Sequence, residues 1–190
     1  SLDGQWYFEF FPSPIDVPDN WPSQTETLGT IAVPGHWQLQ GFDRPIYTNV
    51  KYPFPCDPPK VPEQNPTGCY QRTITLSNDW LANEQVRVVF DGVDSAFYLW
   101  CNESWVGYSQ DSRLPAEFDI TAYLHPGENS LKLVVFRYCD GSYLEDQDMW
   151  NLSGIFRSVS LLRKPQARIT DFRVTASLDD RYVDGVLDVQ

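Results

Sequence analysis

Apolar and polar residues alternate with a period of two along much of this chain, in short runs separated by Pro, Gly, Asn and Asp. A period of two is typical of a strand that buries one face, and Pro and Gly mark the turns between strands. Helical periodicity is almost absent, and only one short helical turn is predicted, at residues 121–124. Strands are predicted at residues 5–11, 30–33, 70–76, 85–90, 96–101, 105–108, 117–120, 130–136, 155–162, 168–176 and 185–190.

Three stretches between these strands lack any strand or helix period. Residues 12–28 are rich in Pro, Asp, Asn and Ser and are predicted to form a surface excursion, and residues 36–50 are predicted to be irregular. Residues 53–66 contain six prolines, which cannot donate backbone hydrogen bonds, so a long, stiff surface loop is predicted there. Many short strands joined in this way indicate an all-β fold, a jelly-roll or galactose-binding-like β-sandwich.

The strand pattern restarts after Lys164 and Pro165, which suggests a domain boundary. The last 26 residues contain two predicted strands, and two strands cannot form an independent sandwich. We therefore predict a first domain at residues 1–164 and, at residues 165–190, the truncated start of a second β domain. On this interpretation the chain is a fragment of a longer protein.

Residues 140–150 interrupt the apolar pattern with a loop that is both acidic and aromatic. Crowded carboxylates repel one another unless a metal ion, a buried arginine or a polyhydroxylated ligand compensates them. The alternative is an acidic surface loop in an acidic protein. The residues concerned are the carboxylates Asp140, Glu145, Asp146 and Asp148, with Tyr143, Met149 and Trp150 among them.

Composition narrows the possible partners. The net charge of −12 argues against binding to nucleic acid or to anionic membrane surfaces, and no apolar run is long enough to span a bilayer. Aromatic residues make up 15% of the chain, which suits a β domain and also suits contact with sugar rings. None of the four cysteines forms a C-x-x-C pair, which argues against a zinc knuckle. A chain of this size does not need disulfides to hold its core, so a reducing compartment is expected. The cytoplasm is the predicted location, with the periplasm as the alternative.

Six strings, in order along the chain, carry a family resemblance. Together they resemble the N-terminal sugar-binding domain of the large bacterial β-galactosidases, the LacZ type of glycoside hydrolase family 2. The strings are VPGHWQ (33–38), PIYTNV (45–50), NPTGCY (65–70), FDGV (90–93), QDSRLP (110–115) and DGSYLEDQDMW (140–150).

The resemblance implies an architecture in which this jelly roll is followed by an immunoglobulin-like domain and a catalytic TIM barrel. The full enzyme hydrolyses terminal β-D-galactosides such as lactose with retention, and it is expected to be a homo-oligomer. Both catalytic glutamates of the family lie in the barrel. No catalytic residue is therefore assigned to this chain, which is expected to be inactive alone and to contact the remaining domains of its own protein.

The resemblance also implies specific roles for five residues. Asn49, Val50 and Asp148 match family positions that contact the substrate, and Asp148 matches a sodium ligand as well. Gln110 and Asp140 match two ligands of a magnesium site, which would be incomplete here. Amide and carboxylate oxygens suit sugar hydroxyls and both cations.

Other interpretations stay open on pattern alone. Asn49 could cap a turn, and Asp146 or Glu145 would serve as well as Asp148. Gln110 and Asp140 could pair with nearby backbone or with Arg113. The chain could also be a stand-alone, lectin-like carbohydrate-binding module, or a purely structural β domain.

Overall fold

The computed structural model describes residues 1–24, 29–82 and 84–190. Its largest element is an antiparallel sheet of six strands. These strands are β1 (Gly4–Phe11), β2 (Thr30–Val33), β4 (Thr67–Leu76), β7 (Ala96–Cys101), β8 (Ser104–Gln110) and β10 (Gly127–Phe136). Their order across the sheet is β2-β1-β4-β10-β7-β8, so the predicted hairpin of β7 and β8 forms its edge.

A second antiparallel sheet covers one face of the first. It contains β5 (Glu84–Phe90), β9 (Ala116–Asp119) and β13 (Val159–Pro165), in the order β13-β5-β9. Val86, Val88 and Phe90 of β5 are fully buried and belong to the same core as Trp6 and Leu133 of the large sheet. Burying each such side chain stabilises the fold by about 1.5–3 kcal/mol. The predicted all-β sandwich is confirmed.

Two short ladders lie beside the sandwich. One pairs β3 (Ile46–Thr48) with β11 (Met149–Asn151), and the other pairs β6 (Val93–Asp94) with β12 (Gly154–Ile155). The prediction that residues 36–50 are irregular was therefore wrong at β3, and also at Trp37–Gln40, which form a 3-10 helix. The prediction of one strand over 155–162 was also wrong, because the Phe156 and Arg157 N–H groups both donate to the Gly92 carbonyl and end β12 there.

The helical segments are single turns. The α-helical turns are α1 (Asn78–Leu81) and α2 (Ser142–Glu145), and the predicted turn after β9 is a 3-10 helix at Thr121–Tyr123. No helix in the described ranges is long and apolar enough to cross a membrane.

The excursion after β1 is held against the outer face of the large sheet. Trp21 is 1% exposed and packs with Cys69 and Val134, and the buried Lys132 donates to the carbonyls of Trp21 and Gln24. The predicted surface excursion is thus tied to the sheet as far as residue 24. Its last four residues, 25–28, lie outside the described part of the chain.

The proline-rich loop is irregular, as predicted, and its fold depends on Tyr143 of α2. The Tyr143 hydroxyl donates to the Lys60 carbonyl (2.6 Å) and accepts from the Asp57 N–H (3.1 Å), while the Tyr52 hydroxyl donates to the Tyr143 carbonyl (2.9 Å). The Phe54 ring packs on that of Tyr143 at a centroid distance of 5.2 Å. The loop therefore covers the acidic segment that it meets at α2.

The last strands form a separate hairpin of β14 (Val174–Leu178) and β15 (Gly185–Val189), and all ten of their residues are exposed. Strand β14 begins at Val174 rather than at the predicted residue 168. Assignment of this hairpin to an immunoglobulin-like domain, with a boundary at residue 164, stays a prediction.

Candidate functional site

The ladder of β3 and β11 brings two of the predicted site residues together. Thr48 pairs with Met149, and the residues that follow this pair outward are Asn49 on one strand and Asp148 on the other. Both are exposed, and Val50 is 87% exposed. Asn49 and Asp148 are therefore neighbours at one end of the ladder, although 99 positions separate them in the chain.

An aromatic pair stands beside these two residues. Tyr47 and Trp150 are opposite each other in the ladder, with ring centroids 5.6 Å apart, and they are 52% and 59% exposed. The Tyr47 hydroxyl donates a hydrogen bond to Oδ1 of Asp148. This hydrogen bond, aided by partial burial and by the carboxylate charge, raises the pKa of Tyr47. Two exposed rings next to an amide and a carboxylate suit the mixed polar and apolar surface of a sugar.

One carboxylate of the acidic loop is bound by Ser112, and the neighbouring Arg113 pairs with an acid outside the loop. The Glu145 carboxylate accepts hydrogen bonds from the N–H (2.8 Å) and the hydroxyl (2.5 Å) of the buried Ser112. Arg113 lies 3.4 Å from the Asp94 carboxylate and 3.6 Å from the sulfur of Met149. Ser112 therefore stabilises the Glu145 carboxylate, whereas Arg113 pairs with Asp94, and the exposed Asp148 carboxylate accepts its hydrogen bond from Tyr47.

Asp94 is a largely buried acid, its side chain 14% exposed, that the sequence pattern did not single out. Burial raises its pKa to about 7, against the lowering effect of Arg113, and the charge of Glu145 raises it further. Asp94, Arg113, Glu145 and Met149 line one depression beneath the ladder. In the sequence, Asp94 is only an acidic residue after Val93, and acidic residues are common in turns, so the pattern did not mark it as functional.

The two predicted magnesium ligands also lie close together. Gln110 ends β8, and its side-chain Cδ is 4.0 Å from the position that a Cβ on Gly141 would occupy, next to Asp140. The Tyr108 hydroxyl donates to Gln110 Oε1 (2.7 Å), and an Asp140 oxygen accepts from the Gly141 N–H (2.9 Å). Burial, aided by the charges of Cys139 and Asp140, raises the pKa of Tyr108 to about 12.

The side-chain oxygens of Gln110 and Asp140 are of the type that Mg²⁺ prefers, but they are too few to hold the ion alone. Mg²⁺ prefers six oxygen ligands in an octahedron, and Gln110 and Asp140 would supply two of them. Within residues 1–24, 29–82 and 84–190, no group of three or more His, Cys, Asp or Glu side chains could hold a metal ion. The ion would need further ligands from water or from other parts of the protein.

Comparison with known proteins places the chain in a family. The family model for the glycosyl hydrolases family 2 sugar binding domain matches residues 1–165. A β-galactosidase of Pectobacterium atrosepticum is 59% identical over 190 residues, which are 100% of this chain and 18% of that protein. A β-galactosidase of Aeromonas hydrophila is 58% identical over 197 residues, covering 99% of this chain and 19% of that protein.

Solved structures share the fold. A β-glucuronidase of Ruminococcus gnavus matches with a TM-score of 0.75 and 19% identity, over 100% of this chain and 32% of the other. A β-glucuronidase of Bifidobacterium dentium matches with a TM-score of 0.69 and 22% identity, over 93% and 31%. At such identities the likeness concerns the fold alone. The family model and the curated relatives show that this chain belongs to the sugar-binding domain family of the family 2 glycosyl hydrolases.

Proposed function

We propose that this chain is the N-terminal domain of a β-galactosidase that hydrolyses terminal β-D-galactosides with retention, and that it supplies one side of the substrate cleft. The curated relatives support the reaction, because β-galactosidases are 55–59% identical over almost the whole chain. The observation that supports the role of this domain is the register of β3 and β11, which makes Asn49 and Asp148 neighbours.

Retaining glycosidases use two carboxyl groups about 5 Å apart, one as acid/base and one as nucleophile. We assign both to the TIM barrel of the longer protein and neither to this chain. The chain's own contribution is to bind and orient. Asp148 accepts hydrogen bonds from sugar hydroxyls, the Asn49 amide both donates and accepts, and Val50 adds an apolar contact.

Two cations belong to the proposal. Asp148 would be a sodium ligand, and Gln110 and Asp140 would be two of the magnesium ligands. When bound, such ions neutralise clustered carboxylates and hold the segments that carry them. The proposed partners are the galactoside and the remaining domains of the same protein, in a homo-oligomer, and the proposed location is the cytoplasm, with the periplasm as the alternative.

A titration separates this proposal from a stand-alone carbohydrate-binding module. The exposed rings of Tyr47 and Trp150 would suit either function. We expect no measurable heat when lactose is titrated into the 190-residue chain, because this domain provides only one side of the cleft. A micromolar Kd for lactose in the isolated chain would favour the lectin-like module instead. Hydrolysis of a chromogenic galactoside by the isolated chain would contradict the assignment of both catalytic groups to the barrel.

A further inference from the structure

Arg137 is a buried cation whose guanidinium connects three segments of the chain. It follows β10 directly and is 2% exposed. It donates to the Asp43 carboxylate, to the Arg44 carbonyl (3.2 Å), and to both the side-chain and the backbone oxygen of Asn151 (3.2 Å each). Its own N–H donates to the Pro66 carbonyl (2.9 Å), which fixes its backbone as well.

The partners of Arg137 are the last residue of β11 and the segment that leads into β3. Asn151 is the last residue of β11 and pairs with Ile46, the first residue of β3. Asp43 and Arg44 lie just before β3 in the chain. Arg137 therefore binds β11 and the segment entering β3 at one end of the ladder, and Asn49 and Asp148 extend from the other end.

A ladder of this size needs such support. A two-stranded pair is at best marginally stable in water, and each strand here contains three residues. An arginine suits the task, because its planar guanidinium presents five donors at fixed angles and stays charged at any pH of interest. The Tyr138 ring, 5.3 Å from the guanidinium carbon, covers the cation further.

We propose that Arg137 is a positioning residue that sets the register of β3 against β11 and so places Asn49 beside Asp148. As a statement about sugar contact, this inference rests on the proposed function. As a statement about the ladder, it rests on the hydrogen bonds of Arg137 alone.

The test compares Arg137→Lys with Arg163→Lys. Lysine keeps the charge of Arg137 but cannot bond the oxygens of Asn151 and of the segment before β3 at once, whereas Arg163 forms a partly exposed ion pair with Glu84 and is a matched control. In the 190-residue chain, we expect Arg137→Lys to weaken the nuclear Overhauser contacts between Tyr47 and Trp150, with the β7–β10 contacts of the main sheet retained. Arg163→Lys should leave both sets of contacts unchanged.

In the longer protein, we expect Arg137→Lys to lower kcat/KM for a chromogenic galactoside roughly 10- to 100-fold, since small misplacements of binding groups have effects of this size. In the double variant that carries Arg137→Lys and Asp148→Ala, the fold-decrease in kcat/KM should be smaller than the product of the two single decreases, because both changes act on one contact. If Arg137 had only a structural role, Arg137→Lys would lower the urea midpoint, and its effect on kcat/KM would multiply with that of Asp148→Ala. If Arg137→Lys prevents folding, Asn151→Ala, which removes one acceptor, replaces it in both measurements.

The outcomes separate the two proposals. Unchanged Tyr47–Trp150 contacts in Arg137→Lys would overturn the positioning role. So would a decrease in kcat/KM in the double variant equal to the product of the two single decreases. An Asp148→Ala protein with unchanged turnover would instead refute the proposed sugar contact. The ladder contacts would then still decide whether Arg137 sets the register.

Discussion

The hydroxyl of Tyr47 donates a hydrogen bond to Asp148, a residue 101 positions away in the chain. Tyr47 lies in β3, and Asp148 immediately precedes β11, so the contact crosses the ladder that also brings Asn49 into place. This hydrogen bond orients one oxygen of the exposed carboxylate and leaves the other free to accept from a ligand. The predictions below begin with this pair.

The pKa of Tyr47 should depend on its hydrogen bond to Asp148. Its hydrogen bond to Asp148 stabilises the protonated phenol and raises the pKa of Tyr47, so Asp148→Ala should return that pKa toward its ordinary value. The measurement is a pH titration followed by the tyrosine ring carbon signals in nuclear magnetic resonance. Asp180→Ala, in the exposed turn between β14 and β15, is the control. An unmoved Tyr47 pKa in Asp148→Ala would show that the two groups are not hydrogen-bonded in solution.

The proposed sugar contact predicts a kinetic effect in the longer protein. Replacing Asp148 with Ala removes an acceptor from the reacting sugar, and we expect kcat/KM for a β-galactoside to fall on the order of 100-fold or more. The control is again Asp180→Ala, which should keep the original value. Equal kcat/KM in the two variants would leave this domain with a scaffolding role only.

The largely buried Asp94 should make stability depend on pH. Because burial raises its pKa from 3.8 to about 7, the folded state keeps the proton over that interval while the unfolded state releases it. The free energy of unfolding therefore falls as pH rises between those values. The difference in the free energy of unfolding between Asp94→Asn and the original chain should therefore shift in favour of Asp94→Asn by on the order of 1–3 kcal/mol from about pH 5 to about pH 8.

Urea unfolding at the two pH values measures this difference. Asp180→Asn, whose side chain is exposed, is the matched control and should show the same pH dependence as the original chain. If the Asp94→Asn and Asp180→Asn chains gave parallel curves, Asp94 would be ionised with an ordinary pKa in the folded state.

Packing around Gly68 leaves no room for a side chain. A Cβ at this position of β4 would lie 2.8 Å from ring carbons of both Phe8 and Trp37, which are themselves buried. Gly68→Ala should therefore lower the free energy of unfolding by about 1–3 kcal/mol, the usual cost of overpacking a core. Gly185→Ala, where a Cβ meets nothing within 4 Å, should change it by less than about 0.5 kcal/mol. A similar urea midpoint for both variants would mean that the two rings move aside freely.

Much of the sandwich follows from local pattern. The fully buried positions of β5, at Val86, Val88 and Phe90, are those of a period of two, and the hairpin of β7 and β8 lies where the alternation and the Asn102–Glu103 turn predict it. Local pattern suffices for these strands because one face is buried against a large core, so hydrophobic burial selects the register. The order of the strands across each sheet is not contained in that pattern.

The site shows the opposite case. The resemblance of short sequence strings to a family suggested the site residues Asn49, Asp148, Gln110 and Asp140. The alternating pattern of apolar and polar residues suggested none of them. A strand of three residues has too few positions to show a period, and the partner of β3 is about 100 residues away in the chain. The hydrogen bonds of Ser112 to Glu145 and of Arg137 to Asn151 could not be predicted for the same reason.

By itself, the sequence determined the class of fold, most of the strands and the family, because these depend on local alternation, turn residues and short sequence motifs. Tertiary structure alone decided that Asn49 and Asp148 are neighbours, that Trp150 is exposed and that Arg137 joins β11 to the segment entering β3. The physical reason is that a contact between distant segments is stabilised by hydrogen bonds and burial which exist only after the sandwich has formed.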